Sequence, residues 1–138
     1  MKTLKIMSIS LLTVVLGFAF ISMTMQQKKK PEPWEVPAKD SKIVNPVKAD
    51  DASVKKGMGL YKKFGASCHG KVGLGDGVKA RGLKTFSGDF SGADYQDQTD
   101  GDHFYKTKVG RGEMPKYAGK VQDKDIWNIV NYMRTFKK

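Results

Sequence analysis

The sequence predicts an all-α domain over residues 52–138, preceded by an apolar N-terminal segment (1–25) and a proline-rich linker (26–51). Three observations carry this. No stretch alternates apolar and polar residues at the period of a strand. Near the C-terminus Ile126, Ile129, Val130 and Met133 share one helical face, with Phe136 at its edge. A second apolar face, Val54, Met58 and Tyr61, recurs at i, i+4 and i+7.

The N-terminal segment concerns targeting. Lys2 and Lys5 precede residues 6–25, which hold no charge. A helix of that length spans roughly 30 Å, the thickness of a bilayer core. An uncleaved signal anchor and a cleaved signal peptide both fit. The run is long for a cleaved apolar region and no clear A-x-A site follows it, which favours anchoring in a membrane through residues 6–25. Lys28, Lys29 and Lys30 follow the run and outnumber the lysines before it. The positive-inside rule alone places that side in the cytoplasm; the chemistry below argues for the opposite side.

Four of the five prolines, Pro31, Pro33, Pro37 and Pro46, fall in the linker. Such density disfavours helix and favours an extended, semi-rigid chain. Fully extended, the segment reaches on the order of 80 Å. Two readings stand: a tether that swings the domain away from a membrane, or a strap whose Trp34, Val36, Ile43 and Val44 pack on the domain.

Within the domain a helix is expected over about 53–64, capped by Ser53. Gly57 and Gly59 weaken it locally, and close approach of another backbone accounts for Gly57, one turn before Tyr61. Gly70, Gly73, Gly75 and Gly77 form a loop of turns. No Gly-Lys-Ser/Thr follows them and no strand precedes them, so a nucleotide-binding loop is disfavoured. A short helix over about 102–109, capped by Asp100 or Asp102, ends at Gly110 and Gly112 before Met114-Pro115. The terminal helix begins at Asp123 as cap, and Lys137 and Lys138 suit its negative end.

A domain this small and this rich in glycine has a thin core and needs a staple. The chain has one cysteine, which excludes an internal disulfide and any multi-cysteine metal or iron–sulfur site; two histidines are too few for most all-protein metal sites. A cofactor is the remaining candidate. The net charge of +11 divides into +2 before the linker, +1 in it and +8 on the domain. An anionic partner follows, whether acidic protein, membrane headgroups or nucleic acid.

The chemistry lies in Tyr61-Lys62-Lys63-Phe64-Gly65-Ala66-Ser67-Cys68-His69-Gly70. Cysteine followed directly by histidine ends the haem attachment signature C-x-x-C-H. The thiol adds across a haem vinyl group, and the adjacent imidazole is then held where it ligates iron. Far along the chain, Met114 offers a thioether on a stiff turn before Pro115. A soft thioether opposite histidine gives low-spin iron and raises its potential. Both axial positions are then filled, which suits electron transfer and disfavours oxygen or peroxide chemistry.

On these residues the segment from about 52 to 138 resembles a class I cytochrome c domain. The matching features are Gly57-x-x-x-Tyr61, Ala66-Ser67-Cys68-His69-Gly70, Gly73-x-Gly75-Asp76-Gly77, Met114-Pro115, and a terminal helix with Ile126-Trp127 and Tyr132-Met133. The resemblance implies a small helical domain wrapped around one haem c, with Cys68 as thioether anchor, His69 as proximal ligand and Met114 as distal ligand. It implies that the first and last helices cross at Gly57 and Tyr61. Leu83 and Trp127 are its candidates for the apolar haem wall, and Tyr117, the aromatic nearest Met114, is a further one.

Two positions depart from the family pattern. The first attachment cysteine falls on Gly65, so one thioether is expected. Val78 stands where related bacterial domains often have proline, and its carbonyl is the expected partner of the second ring nitrogen of His69. His103 has no matching role and reads as a solvated or lightly packed histidine. Lys62, Lys63, Lys71, Lys79, Lys84, Lys116 and Lys120 neighbour the segments expected around the haem and suggest a basic rim that steers acidic redox partners.

The function this implies is one-electron transfer on the periplasmic side of a bacterial cytoplasmic membrane, by an anchored carrier or one freed by cleavage. The expected partners are a quinol-oxidising complex and a terminal oxidase or similar acceptor. Nucleic acid is not expected, because no aromatic stacking platform is evident. The alternative is a haem-based ligand sensor or peroxidase-like protein with a labile sixth ligand.

Overall fold

The computed structural model describes residues 31–138. Expectations that rest on residues 1–30, including the apolar run 6–25 and Lys28 to Lys30, lie outside the described residues. The described elements are α1 (Ala38–Ser41), α2 (Asp51–Phe64), α3 (Ala66–His69), a 3-10 turn (Ala80–Gly82), α4 (Ala93–Gln96), α5 (Asp100–Val109) and α6 (Asp123–Arg134). Among the described residues there are no strands, only two isolated bridges, one of them pairing Arg111 with Met114. No helix among them is long and apolar enough to cross a membrane. The predicted all-α class holds.

The two long helices α2 and α6 pack on each other and organise the domain. Gly57 is buried where they cross; an added methyl group would overlap the Asn128 carbonyl and lie 2.9 Å from Tyr132 Cβ. Only hydrogen lets the backbones approach this closely. A polar chain closes the same junction. Ser53 Oγ donates to Asn128 Oδ1 (2.7 Å), Asn131 Nδ2 donates to Ser53 Oγ (2.8 Å), and Asn45 Nδ2 donates to Asn131 Oδ1 (2.8 Å). Each buried amide therefore has a partner, as burial requires.

Ser53 is thus a crossing residue and not the cap expected for it. The cap is Asp50, whose carboxylate accepts from Ser53 N at 2.9 Å. Likewise α5 is capped by Thr99 in a capping box with Asp102, not by Asp100 or Asp102. Gln122 occupies the N-cap of α6, and Asp123 is its first residue. Each shift is of one to three residues at an end, where neighbouring polar side chains compete for the same free N–H groups.

The apolar face of α6 is placed as expected: Ile126, Ile129, Val130 and Met133 are buried with Tyr61, Phe90, Phe104, Val121 and Trp127. Arg134 ties the end of α6 to the α4–α5 connection. It donates to Gln96 O at 2.7 Å and Gln98 O at 2.6 Å, and pairs with Asp100 at 2.7 Å.

The described part of the proline-rich segment lies on the domain. Pro37 is the N-cap of the one-turn α1, and its carbonyl accepts from Asp40 N and Ser41 N at 2.8 and 3.0 Å. Val47 packs against the core, Trp34 and Val36 are half-buried, and Val44 is 83% exposed. The strap reading therefore describes Trp34 and Val36 but not Val44, and Val47 takes its place.

Candidate haem site

A large cavity of about 1220 Å³ opens between α2–α3, the loop 83–95, α5, the turn at Met114 and α6. It exceeds the roughly 300–1,000 Å³ typical of small-ligand pockets. Its wall is built by segments far apart in sequence. Tyr61, Phe64, Gly65, Cys68 and His69 come from the end of α2 and from α3; Ile126, Ile129 and Met133 come from α6; Leu83, Met114 and Tyr117 come from the intervening loops.

Cys68 is a free, half-buried thiol. It sits with His69 on the short α3, which hydrogen-bonds back onto Gly65 and Ala66 and turns away at Gly70. Gly70 has φ +83° and receives the Tyr61 hydroxyl on its carbonyl at 2.9 Å. A side chain at Gly70 would meet the Asp76 carboxylate, so this sharp exit from α3 requires glycine.

The Nδ1 atom of His69 lies 2.8 Å from Ser87 O. The carbonyl was expected from Val78, but Val78 is 88% exposed. Residues 77–79 are instead pinned to α3: Lys79 N donates to Ser67 O at 2.8 Å, and Gly77 packs against that same carbonyl. The loop at Ser87 then reaches the imidazole. Burial lowers the His69 pKa and the Ser87 hydrogen bond opposes that shift. With Nδ1 engaged, Nε2 carries the lone pair for a metal.

Met114 lies on a tight turn. Arg111 N donates to Met114 O and Met114 N donates to Arg111 O, both at 3.0 Å, with Gly110 and Gly112 at φ +66° and +57°. The Glu113 carboxylate accepts from Lys84 N at 2.8 Å, tying this turn to the loop that carries Leu83. Tyr117 donates from its hydroxyl to Phe64 O at 2.7 Å and meets the Phe64 ring edge-on. Burial raises the Tyr117 pKa, and so does the nearby Cys68.

Of the residues predicted at the site, Cys68, His69, Leu83, Met114 and Tyr117 line one cavity. Trp127 does not. It is 4% exposed and stacks on Phe104 with centroids 4.0 Å apart. The reason is helical phase: Ile126, Ile129 and Met133 face the cavity, and Trp127 is rotated about 100° from Ile126.

His103 corrects a second expectation. It is 2% exposed, not solvated, and it lines the cavity. It closes a stack of rings running from the proximal histidine: His69–Phe90 (centroids 4.5 Å apart), Phe90–Tyr95 (4.2 Å) and Tyr95–His103 (4.0 Å). The sequence signal was the cluster of aromatic residues Phe86, Phe90 and Tyr95 upstream of His103. The Nε2 atom of His103 is buried with no hydrogen-bond partner among the described residues.

Burial, then Arg134 and Lys106, push the His103 pKa down to about 3, against opposing effects of Asp102 and the Tyr95 backbone. The unfolded chain takes up this proton near pH 6.5 while the native chain refuses it until about pH 3. The stabilisation is therefore complete above pH 6.5 and lost on acidification, by up to about 1.4 kcal/mol per pH unit. Denaturant midpoints at pH 7 and pH 4.5 are expected to diverge more in the parent than in His103→Phe. Equal divergence would show that native His103 binds the proton.

The cationic rim is partly as expected. Lys62, Lys63, Lys71, Lys79, Lys84, Lys116 and Lys120 are all exposed. Only Lys84 of these lines the cavity, where Lys106 and Arg111 join it.

A thiol, an imidazole with one free nitrogen and a thioether, all on an apolar cavity of this size, fit a covalently held haem. The family model of cytochrome c oxidase, cbb3-type, subunit III matches residues 52–133. The chain belongs to this family. The cbb3-type subunit III match makes the matched region a cytochrome c domain, which implies a covalently bound c-type haem and electron transfer. Among solved structures, a chain of the Kuenenia stuttgartiensis reducing HAO-like protein complex is similar, with a TM-score of 0.58 and 21% identity. The match covers 80% of this chain and 52% of that one, so it spans about half of that chain's length. At that identity the likeness concerns the fold alone. No curated protein matches the chain.

Proposed function

We propose that this cytochrome c domain is a mono-haem, one-electron carrier of a bacterial respiratory chain and not itself an enzyme. When bound, the haem supplies the redox couple. Cys68 anchors it through one thioether, because Gly65 stands where the family pattern has its first attachment cysteine. His69 Nε2 and Met114 Sδ would ligate its iron, and Leu83 and Tyr117 would pack against it. The observation that carries this reading is the convergence of Cys68, His69 and Met114 on one cavity, with His69 Nδ1 held by Ser87 O at 2.8 Å.

Residues 6–25 tether the domain to the outer face of the cytoplasmic membrane, or direct its export before cleavage. The excess of lysine on the domain, with Lys84, Lys106 and Arg111 at the cavity, suits acidic redox partners such as a quinol-oxidising complex and a terminal oxidase.

An absorption spectrum of the reduced holoprotein tests the reading. Sharp low-spin bands unchanged by carbon monoxide are expected, with the haem still on the polypeptide after pyridine extraction. A high-spin spectrum, or one shifted by carbon monoxide, would point instead to a ligand sensor or peroxidase.

A further inference from the structure

We propose that Arg111 is a positioning residue for Met114: it latches the segment Pro31–Trp34 across the cavity mouth and so keeps the Met114 turn closed. This rests on the reading of Met114 as the distal ligand. The Arg111–Met114 turn is a closed backbone loop, with reciprocal hydrogen bonds of 3.0 Å at its base. Movement of Arg111 is therefore transmitted to Met114.

The Arg111 side chain points out of that turn onto the proline-rich linker. Nη1 donates to Pro33 O at 2.9 Å and Nη2 to Glu32 O at 2.8 Å. The guanidinium carbon sits 4.6 Å from the centroid of the Trp34 ring. The planar fork thus grips two consecutive carbonyls while its face covers an indole, an arrangement a lysine ammonium does not reproduce. Pro31, Glu32, Pro33 and Trp34 line the same cavity as Met114 and Pro115. The two prolines restrict the free segment, so docking it costs less conformational entropy than docking an ordinary chain.

The turn is held on its other side as well. Glu113 accepts from Lys84 N at 2.8 Å, so a second residue of the turn is clasped to the loop that carries Leu83. The Glu113 clasp is a single bond to a loop. The Arg111 clasp comprises two charge-assisted hydrogen bonds and a ring contact, and is the stronger restraint. Opening of the sixth position requires the turn to swing away from the cavity, and the latch opposes that swing.

The test is the rate at which cyanide replaces the thioether in the ferric, full-length holoprotein. In the parent the weak near-infrared band of thioether-ligated ferric haem is expected, with slow capture. Arg111→Ala and Trp34→Ala should each capture cyanide about 10- to 100-fold faster. Arg111→Lys should fall between, and all variants should melt within a few degrees of the parent. Parental rates in both Arg111→Ala and Trp34→Ala would overturn the latch while leaving the ligation of Met114 intact. So would acceleration matched by an equal loss of global stability. A parent that lacks the band and binds cyanide rapidly would overturn the ligation reading and the latch together.

Discussion

Replacing Met114 with alanine is expected to lower the reduction potential by more than about 0.1 V and to open the sixth position to external ligands. The thioether is a soft donor that favours ferrous iron. Met114 is half-buried on a turn closed at both ends by backbone hydrogen bonds. Alanine keeps that backbone and removes only the sulfur-bearing side chain, so the loss is electronic before it is structural. Without the thioether the chain offers the iron no soft donor at this turn, which would favour the ferric state. Spectroelectrochemical titration of the parent and Met114→Ala measures the shift, and carbon monoxide binding to the reduced forms reports access. An unchanged potential together with an unchanged spectrum would exclude Met114 as ligand.

The second large effect concerns the haem-free chain, which is expected to lack cooperative unfolding. Tyr61, Phe90, Val121, Ile126, Ile129 and Met133 belong to the hydrophobic core and also line the cavity of about 1220 Å³. Most of the core is thus a layer around this cavity, with Phe104, Trp127 and Val130 packed behind it. Without haem these apolar side chains lose their contacts on the cavity side, and the loss grows with the space left unfilled. Native domains are stable by only about 5–15 kcal/mol. The chain must therefore fill the space or loosen. Calorimetry of apoprotein, produced without haem or as Cys68→Ala after extraction, should show no sharp transition. A single cooperative peak near that of the holoprotein would refute this.

The site was readable in the sequence wherever its chemistry is local. Cys68-His69 and Met114-Pro115 stand out by residue type and adjacency, and the fold brings Cys68, His69 and Met114 to one cavity. The helix crossing was readable too: Gly57 among good helix positions marks a contact that tolerates no side chain, and it lies against the Asn128 carbonyl. The cap positions were off by a few residues, since Asp50, Asp51 and Ser53 are chemically interchangeable as caps and only packing assigns Ser53 to Asn128.

What the sequence determined by itself is the all-α class, the surplus of positive charge on the domain, and the identity of the thiol, imidazole and thioether. These follow from periodicity, counting and functional-group chemistry, which are properties of the chain before it folds. Tertiary structure alone decided which carbonyl reaches His69, since a backbone carbonyl carries no residue signature and Ser87 won over Val78 by the path of the loop. It alone turned Trp127 away from the cavity, buried His103 at the end of a ring stack, and laid the Arg111 guanidinium on Pro31–Trp34. Those contacts join residues separated by up to 79 positions. Their formation depends on where the helices stand in space, and no local pattern encodes that.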